Sequence, residues 1–169
     1  MPAAATSSST NQTSAITEYG ALMQPPNLLL EDVMTVSNVD HSRFDKVGRI
    51  TLESQETSTK LEYDVYTELY PVEVGESLHI VMLKTLALGE KLESYAQHDK
   101  RVLGANIADK FGYVTYGTCY ERSQKDGKTT VHISFGGLLM RATSEDTHLR
   151  GINLDDRVYC LVKKDDLVS

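Results

Sequence analysis

The feature that most constrains this chain is the alternation of apolar and polar residues in short stretches separated by turn residues. In the segment 61–69, Leu61, Tyr63, Val65 and Leu69 share one parity, while acidic residues occupy much of the other. Successive side chains of a strand point to opposite faces, so this pattern predicts a half-buried strand. The chain therefore needs a β fold in which one face of each such strand packs on a core.

Further segments have strand character. Residues 47–53, 113–122 and 158–162 are rich in β-branched and aromatic side chains, which suit a pleated surface. The segment 78–83 is apolar on both parities except for His79, which predicts a central strand covered on both faces. Several short strands with little helical periodicity predict a single antiparallel sandwich or barrel.

Two glycine-containing pairs punctuate the second half of the chain. Asp126-Gly127 lies between two alternating segments, and this pair tolerates the positive φ of a two-residue hairpin turn. Gly136-Gly137 follows the alternating residues Val131, Ile133 and Phe135. There we predict a bulge or a corner at which a barrel strand bends sharply.

The composition divides the chain into an arm, a barrel domain and a tail. Residues 1–27 are mostly Ala, Ser, Thr, Asn and Gln, and we expect this arm to be disordered. Alternatively, the spacing of apolar residues at 16, 19 and 23 would suit a short partner-binding helix. The barrel domain is expected over 28–164, with a flexible excursion at 89–106 and a tail at 165–169.

Charge and composition exclude several classes of function. The formal net charge is −7, so the chain lacks the excess of positive charge expected of a protein that binds nucleic acid on its own. No apolar run approaches the roughly 18 residues of a membrane span, so no membrane partner is expected. Cys119 and Cys160 form no CxxC pair, which fits a reduced cytosolic or nuclear compartment. The five histidines share no ligand spacing, so we expect neither metal nor cofactor.

One pair of residues leaves an enzymatic alternative open. Cys119 and His132 could approach each other across the predicted hairpin, as a nucleophile and its base would. No third residue that would orient the histidine is identifiable in the sequence. We therefore expect no catalytic residues and no enzymatic activity of the chain alone.

The tyrosines allow three interpretations. The chain has 9 Tyr and no Trp, and Tyr113, Tyr116 and Tyr120 lie on one predicted strand. They could cover the core and rim of a barrel, or contribute to a protein interface, where Tyr is enriched. They could also stack on bases, so that the alternative function is an OB-fold module that binds single-stranded nucleic acid directly and weakly.

Three linked motifs carry a family resemblance. They are Phe111–Gly117 (FGYVTYG), Ser134–Arg141 (SFGGLLMR) and Asp156–Tyr159 (DRVY). Together with the segment 30–50 they closely resemble the small subunit shared by the eukaryotic nuclear RNA polymerases I, II and III, the RPABC3 family. The resemblance runs from about Leu28 to Lys164.

This resemblance implies an all-β, antiparallel barrel of the oligonucleotide-binding (OB) type with Greek-key topology. It also implies a non-catalytic structural or assembly subunit in the nucleus, including the nucleolus, with no Mg²⁺ or zinc of its own. Its partners would be the largest polymerase subunit, on which it mainly docks, and other polymerase subunits. We predict a partner interface at Tyr113, Tyr116, Tyr120, Phe135, Gly136, Gly137, Leu138, Leu139, Met140 and Arg141. Arg141 would bind a carboxylate or a backbone carbonyl of the partner.

Overall fold

The computed structural model describes residues 20–42, 45–86 and 107–165. A short helix, Asp146–Leu149, lies between the last two strands, and a 3-10 helix, Ile107–Lys110, precedes the fifth. The described strands are β1 (Leu28–Asp40), β2 (Val47–Ser54), β3 (Lys60–Tyr66), β4 (Ser77–Leu83), β5 (Tyr113–Lys125), β6 (Lys128–Phe135), β7 (Leu138–Glu145) and β8 (Arg157–Lys164). No helix among these residues is long and apolar enough to cross a membrane.

The strands close into a barrel in the order β1-β2-β3-β7-β6-β5-β8-β4, and every neighbouring pair is antiparallel. Read around the ring, β4-β1-β2-β3 and β8-β5-β6-β7 each have the spatial order 4-1-2-3 of a Greek key. The barrel is thus two Greek keys joined at two seams, β3–β7 and β4–β8. The predicted all-β, antiparallel Greek-key barrel is confirmed, and its closure is consistent with an OB-type barrel.

The strand positions agree with the alternation in the sequence, apart from two corrections. Leu69 lies beyond the end of β3 and is exposed, so it does not share the buried face of Leu61, Tyr63 and Val65. The prediction for Gly136-Gly137 was also wrong, because both residues form the turn between β6 and β7. Their φ angles of 64° and 102° are those of a two-residue hairpin turn, the same solution that Asp126-Gly127 adopts between β5 and β6.

The barrel interior is filled by apolar side chains from every strand. Leu52, Leu61, Ile80, Ile133 and Cys160 are among its fully buried members. Tyr63 is completely buried in this core. Its hydroxyl has a hydrogen-bond partner there, because Tyr63 Oη lies 2.6 Å from Thr115 Oγ1.

A second apolar cluster covers the opposite faces of β4 and β8. Val81, Leu83 and Leu161 are buried there beneath residues from outside the barrel, including Leu22 and Ile107. The predicted double-sided burial of β4 is therefore confirmed. Burial on both faces explains why this strand is apolar at both parities.

Part of the predicted arm belongs to this packing. Leu22 is buried against the outer cluster, and the Asn27 side chain donates to the carbonyls of Leu22 and Thr85 at 2.8 and 3.1 Å. The packed part of the chain thus begins before Leu28, because burying Leu22 removes apolar surface on the outside of the barrel from water. The remainder of the predicted arm, 1–19, lies outside the described residues, as do the excursion 89–106 and residues 166–169 of the tail.

Gly117 on β5 is required for the close approach of β6. A Cβ atom placed on it would lie 2.3 Å from the Ser134 carbonyl oxygen and 2.7 Å from a Phe135 ring carbon. We expect Gly117→Ala to lower the free energy of unfolding by about 1–3 kcal/mol, because a backbone carbonyl would have to move. Thermal melts of Gly117→Ala and Gly20→Ala check this, since a Cβ at Gly20 meets nothing within 4 Å. Equal melting temperatures for the two variants would contradict the close approach.

The buried thiol of Cys160 should make the protein less stable in alkaline solution. Burial raises the pKa of the Cys160 thiol from 9.0 to about 12. Above pH 9 the unfolded chain loses this proton first, so the free energy of unfolding should fall as the pH rises from 9 toward 12. Urea unfolding of Cys160→Ala under reducing conditions should show a shallower fall of the unfolding free energy with pH over this range. The two slopes should differ by at most the contribution of one titrating proton. An unchanged slope would contradict the assignment.

Candidate functional site

The structure separates the ten predicted interface residues into three groups. Phe135 and Met140 are buried in the barrel core, and Tyr113 and Leu138 pack against it. Gly136 and Gly137 form the exposed hairpin turn. Side chains exposed to solvent come from the remaining strand positions: Tyr116, Tyr120, Leu139 and Arg141.

Tyr113 is a structural residue of the barrel end. Its ring stacks on Tyr70, with centroids 5.5 Å apart and planes at 23°. Its hydroxyl oxygen accepts a hydrogen bond from the Tyr66 backbone amide at 3.1 Å. Burial is the main reason that the pKa of Tyr113 is raised. This residue therefore fits the core-and-rim interpretation of the tyrosines.

The exposed residues meet on the outer face of β5, β6 and β7. Thr118, Ser134 and Leu139 form one cross-strand row, because Thr118 pairs with Ser134 and Ser134 with Leu139. Tyr116 and Tyr120 lie on either side of Thr118 along β5. We call these five residues the outer-face patch. Of its large side chains, Tyr116 is 37% exposed, Tyr120 45% and Leu139 37%.

Tyr116 is braced by a second tyrosine. It pairs across the strands with Tyr159 of β8, and the ring centroids are 4.3 Å apart. Tyr159 is 9% exposed and belongs to the outer apolar cluster, and burial raises its pKa to about 12. The exposed ring of Tyr116 thus rests on a buried one.

A β-bulge aims Tyr120. The β5–β6 register shifts between Cys119, opposite Ile133, and Glu121, opposite His132. Tyr120 is the extra residue of this shift, and its ring centroid lies 5.8 Å from that of His132. Bulges commonly redirect a side chain in this way.

The bulge contributes to a shallow depression beside the patch. The depression has a volume of about 140 Å³. It is lined by Arg49, Glu62, Tyr120, His132, Leu139, Met140 and Arg141.

An ion pair that sequence reasoning missed holds Leu139 in place. Asp64 lies on the parity assigned to the polar outer face of β3, yet it is 4% exposed. Its carboxylate accepts two hydrogen bonds from Arg49, at 2.7 and 3.1 Å, and one from the Leu139 amide at 3.0 Å. The hydrogen bond to Asp64 is the main cause of the raised pKa of Arg49. Only the β2–β3 register, which places Arg49 opposite Asp64, could have indicated this pair.

Arg141 has a partner within the chain. Its guanidinium pairs with the Glu62 carboxylate of β3, which lies opposite it across the β3–β7 seam. Both side chains are partly exposed to solvent. The charge that was predicted to bind a partner is thus compensated by a neighbouring strand.

Cys119 and His132 do not form a nucleophile–base pair. Cys119 is buried in the barrel core, where its thiol donates to the Glu121 carbonyl at 3.5 Å. His132 alternates with the core residues Val131 and Ile133 along β6 and therefore faces the other way. Burial raises the pKa of Cys119, whereas a reactive cysteine needs a lowered one.

Among the described residues, no group of three or more His, Cys, Asp and Glu side chains could hold a metal ion. His79, for example, is hydrogen-bonded through Nε2 to Glu31 Oε2 at 2.9 Å. Fold and site together define a small closed β-barrel protein with a filled interior and an aromatic patch on its outer face.

Comparison with known proteins gives this barrel a family. A family model described as RNA polymerase Rpb8 matches residues 31–164. A Saccharomyces cerevisiae protein named as subunit RPABC3 of DNA-directed RNA polymerases I, II, and III is 35% identical over 146 residues, covering 82% of this chain and 99% of its own. An Arabidopsis thaliana protein named as subunit 8B of DNA-directed RNA polymerases II, IV and V is 33% identical over 144 residues, covering 81% and 96%.

A Dictyostelium discoideum protein named as subunit rpabc3 of polymerases I, II, and III is 32% identical over 142 residues, covering 82% of this chain and 98% of its own. The family model spans every strand of the barrel but the first residues of β1. The chain belongs to the Rpb8 family of RNA polymerase subunits, and the resemblance seen in its sequence is confirmed.

The two ion pairs of the outer face should differ in their contribution to stability. We expect Asp64→Ala to lower the free energy of unfolding by about 2–3 kcal/mol, because Arg49 and the Leu139 amide lose a buried acceptor. Glu62→Ala breaks an exposed pair and should cost less than about 1 kcal/mol. Urea denaturation of both variants measures the difference, and equal losses would contradict it.

Proposed function

We propose that this chain is a non-catalytic structural subunit shared by the nuclear RNA polymerases I, II and III. The observation that carries the proposal is the family match over residues 31–164, which covers nearly the whole closed barrel. The Saccharomyces and Dictyostelium relatives are both named as subunits of these three enzymes. The match covers 99% and 98% of these relatives, so this chain corresponds to nearly their whole length.

The physical features of the barrel support a structural role. Its interior is packed with apolar side chains, and the thiol of Cys119 is buried with a raised pKa. The subunit would act by burying part of its surface against the largest polymerase subunit. Its site of action would be the nucleus, and the nucleolus where polymerase I works.

Direct binding of single-stranded nucleic acid has weaker support. The exposed tyrosines Tyr116 and Tyr120 could stack on bases. However, the nearby guanidinium groups of Arg49 and Arg141 already pair with Asp64 and Glu62, and the net charge of the chain is −7. Phosphate contacts supply most of the non-specific affinity for nucleic acid, so this function is not the one we propose.

Affinity purification tests the proposal. The full chain, tagged and expressed in a eukaryotic cell, should co-purify with the largest subunits of all three polymerases, detected by mass spectrometry. The tag alone serves as the control. Recovery of the folded, tagged chain without polymerase subunits would overturn the proposal, and recovery with one polymerase alone would overturn the shared role.

A further inference from the structure

We propose that the outer-face patch is the polymerase-docking surface, and that its depression receives an apolar side chain from another polymerase subunit. This inference rests on the proposed function and adds to it the docking face and the chemistry of the occupant. The patch consists of Tyr116, Thr118, Tyr120, Ser134 and Leu139 on three adjacent strands.

The relief of the patch suits a protruding side chain. The small residues Thr118 and Ser134 lie between the larger Tyr116, Tyr120 and Leu139, so the centre of the patch is lower than its edge. The neighbouring depression of about 140 Å³ is bounded by Tyr120 and Leu139, with the buried Met140 also contributing to its lining. A cavity of about 150 Å³ accommodates a benzene-sized group, so an aromatic or branched aliphatic side chain fits.

The charges at the depression favour a neutral occupant. Two arginines line it, but Arg49 is held by Asp64 and Arg141 by Glu62. A phosphate would therefore meet the Glu62 carboxylate and two guanidinium groups that are already paired within the chain. An apolar side chain avoids this repulsion and buries the Leu139 side chain together with the two tyrosine rings, a residue type in which interface hot spots are enriched.

Contacts within the chain also brace the patch residues. Tyr116 rests on the buried Tyr159, and the Leu139 amide is held by Asp64. Tyr120 is positioned by the bulge and lies against the His132 ring. Because these groups are already ordered, less conformational entropy is lost when a partner docks.

A second exposed apolar surface provides the matched control. Leu69 and Val74 in the β3–β4 connection are 75% and 62% exposed, more than Tyr116, Tyr120 or Leu139 of the patch. The groove that this connection lines, about 610 Å³ in volume, also contains the charged residues Asp45, Glu68 and Glu73. Leu69 thus resembles Leu139 in chemistry and exceeds it in exposure, but it lies outside the outer-face patch and does not line the small depression.

The experiment compares Leu139→Ser with Leu69→Ser in the tagged full chain. Polymerase recovery is measured as the largest subunit that co-purifies per amount of tagged chain, relative to the unaltered chain. We expect about a tenfold loss for Leu139→Ser and little change for Leu69→Ser. Tyr120→Ala, on a different strand, should reproduce the loss, and melting temperatures must show that all three variants remain folded.

Each outcome decides the inference separately from the proposed function. If the unaltered chain recovers no polymerase, the proposed function fails first. If the unaltered chain recovers polymerase and folded Leu139→Ser and Tyr120→Ala do so equally well, the docking face is assigned wrongly. A loss in Leu69→Ser, alone or together with the patch variants, would overturn the assignment of docking to the patch.

Discussion

Closure of the barrel at the β3–β7 seam is the constraint on which the rest of the structure depends. The two Greek keys meet there through four register pairs, from Lys60–Thr143 to Tyr63–Met140. Beyond the last of these backbone pairs, the Asp64 carboxylate accepts a hydrogen bond from the Leu139 amide. A side-chain oxygen therefore replaces the backbone carbonyl that would otherwise accept this bond. Arg49 of β2 neutralises the buried carboxylate, which ties three strands together at one point. A closed ring removes the unpaired edges that would otherwise invite aggregation.

The same seam shapes the outer face. Asp64 fixes the start of β7, and therefore the position of Leu139 beside Ser134 and Thr118. One row further along, Glu62 pairs with Arg141 and leaves the guanidinium neutralised. The surface that results has two small hydroxyl residues at its centre, Tyr116, Tyr120 and Leu139 around them, and compensated charges at its side. This combination is more typical of a protein interface than of a surface that binds nucleic acid.

The candidate site could be predicted only in part. The motif-based prediction named ten residues, six of which are exposed, and Tyr116, Tyr120 and Leu139 meet on one face. Phe135 and Met140 belong to the core, because neighbours in a strand alternate between its faces. Thr118 and Ser134 were missed, since small hydroxyl residues carry no signal until the register sets them side by side. Asp64 was assigned to the polar face of β3 because nothing local indicates that β7 will cover it.

The sequence by itself determined the β class, the position of most strands, the Asp126-Gly127 hairpin and the family. These features are local: period-two alternation and turn chemistry act over a few residues, and motifs are read directly. Only the tertiary structure decided that the two glycines at 136 and 137 form a turn, that residues before Leu28 cover an outer apolar face, and that the exposed aromatics form one patch. Those features depend on strand register and barrel closure, which bring together residues far apart in the chain.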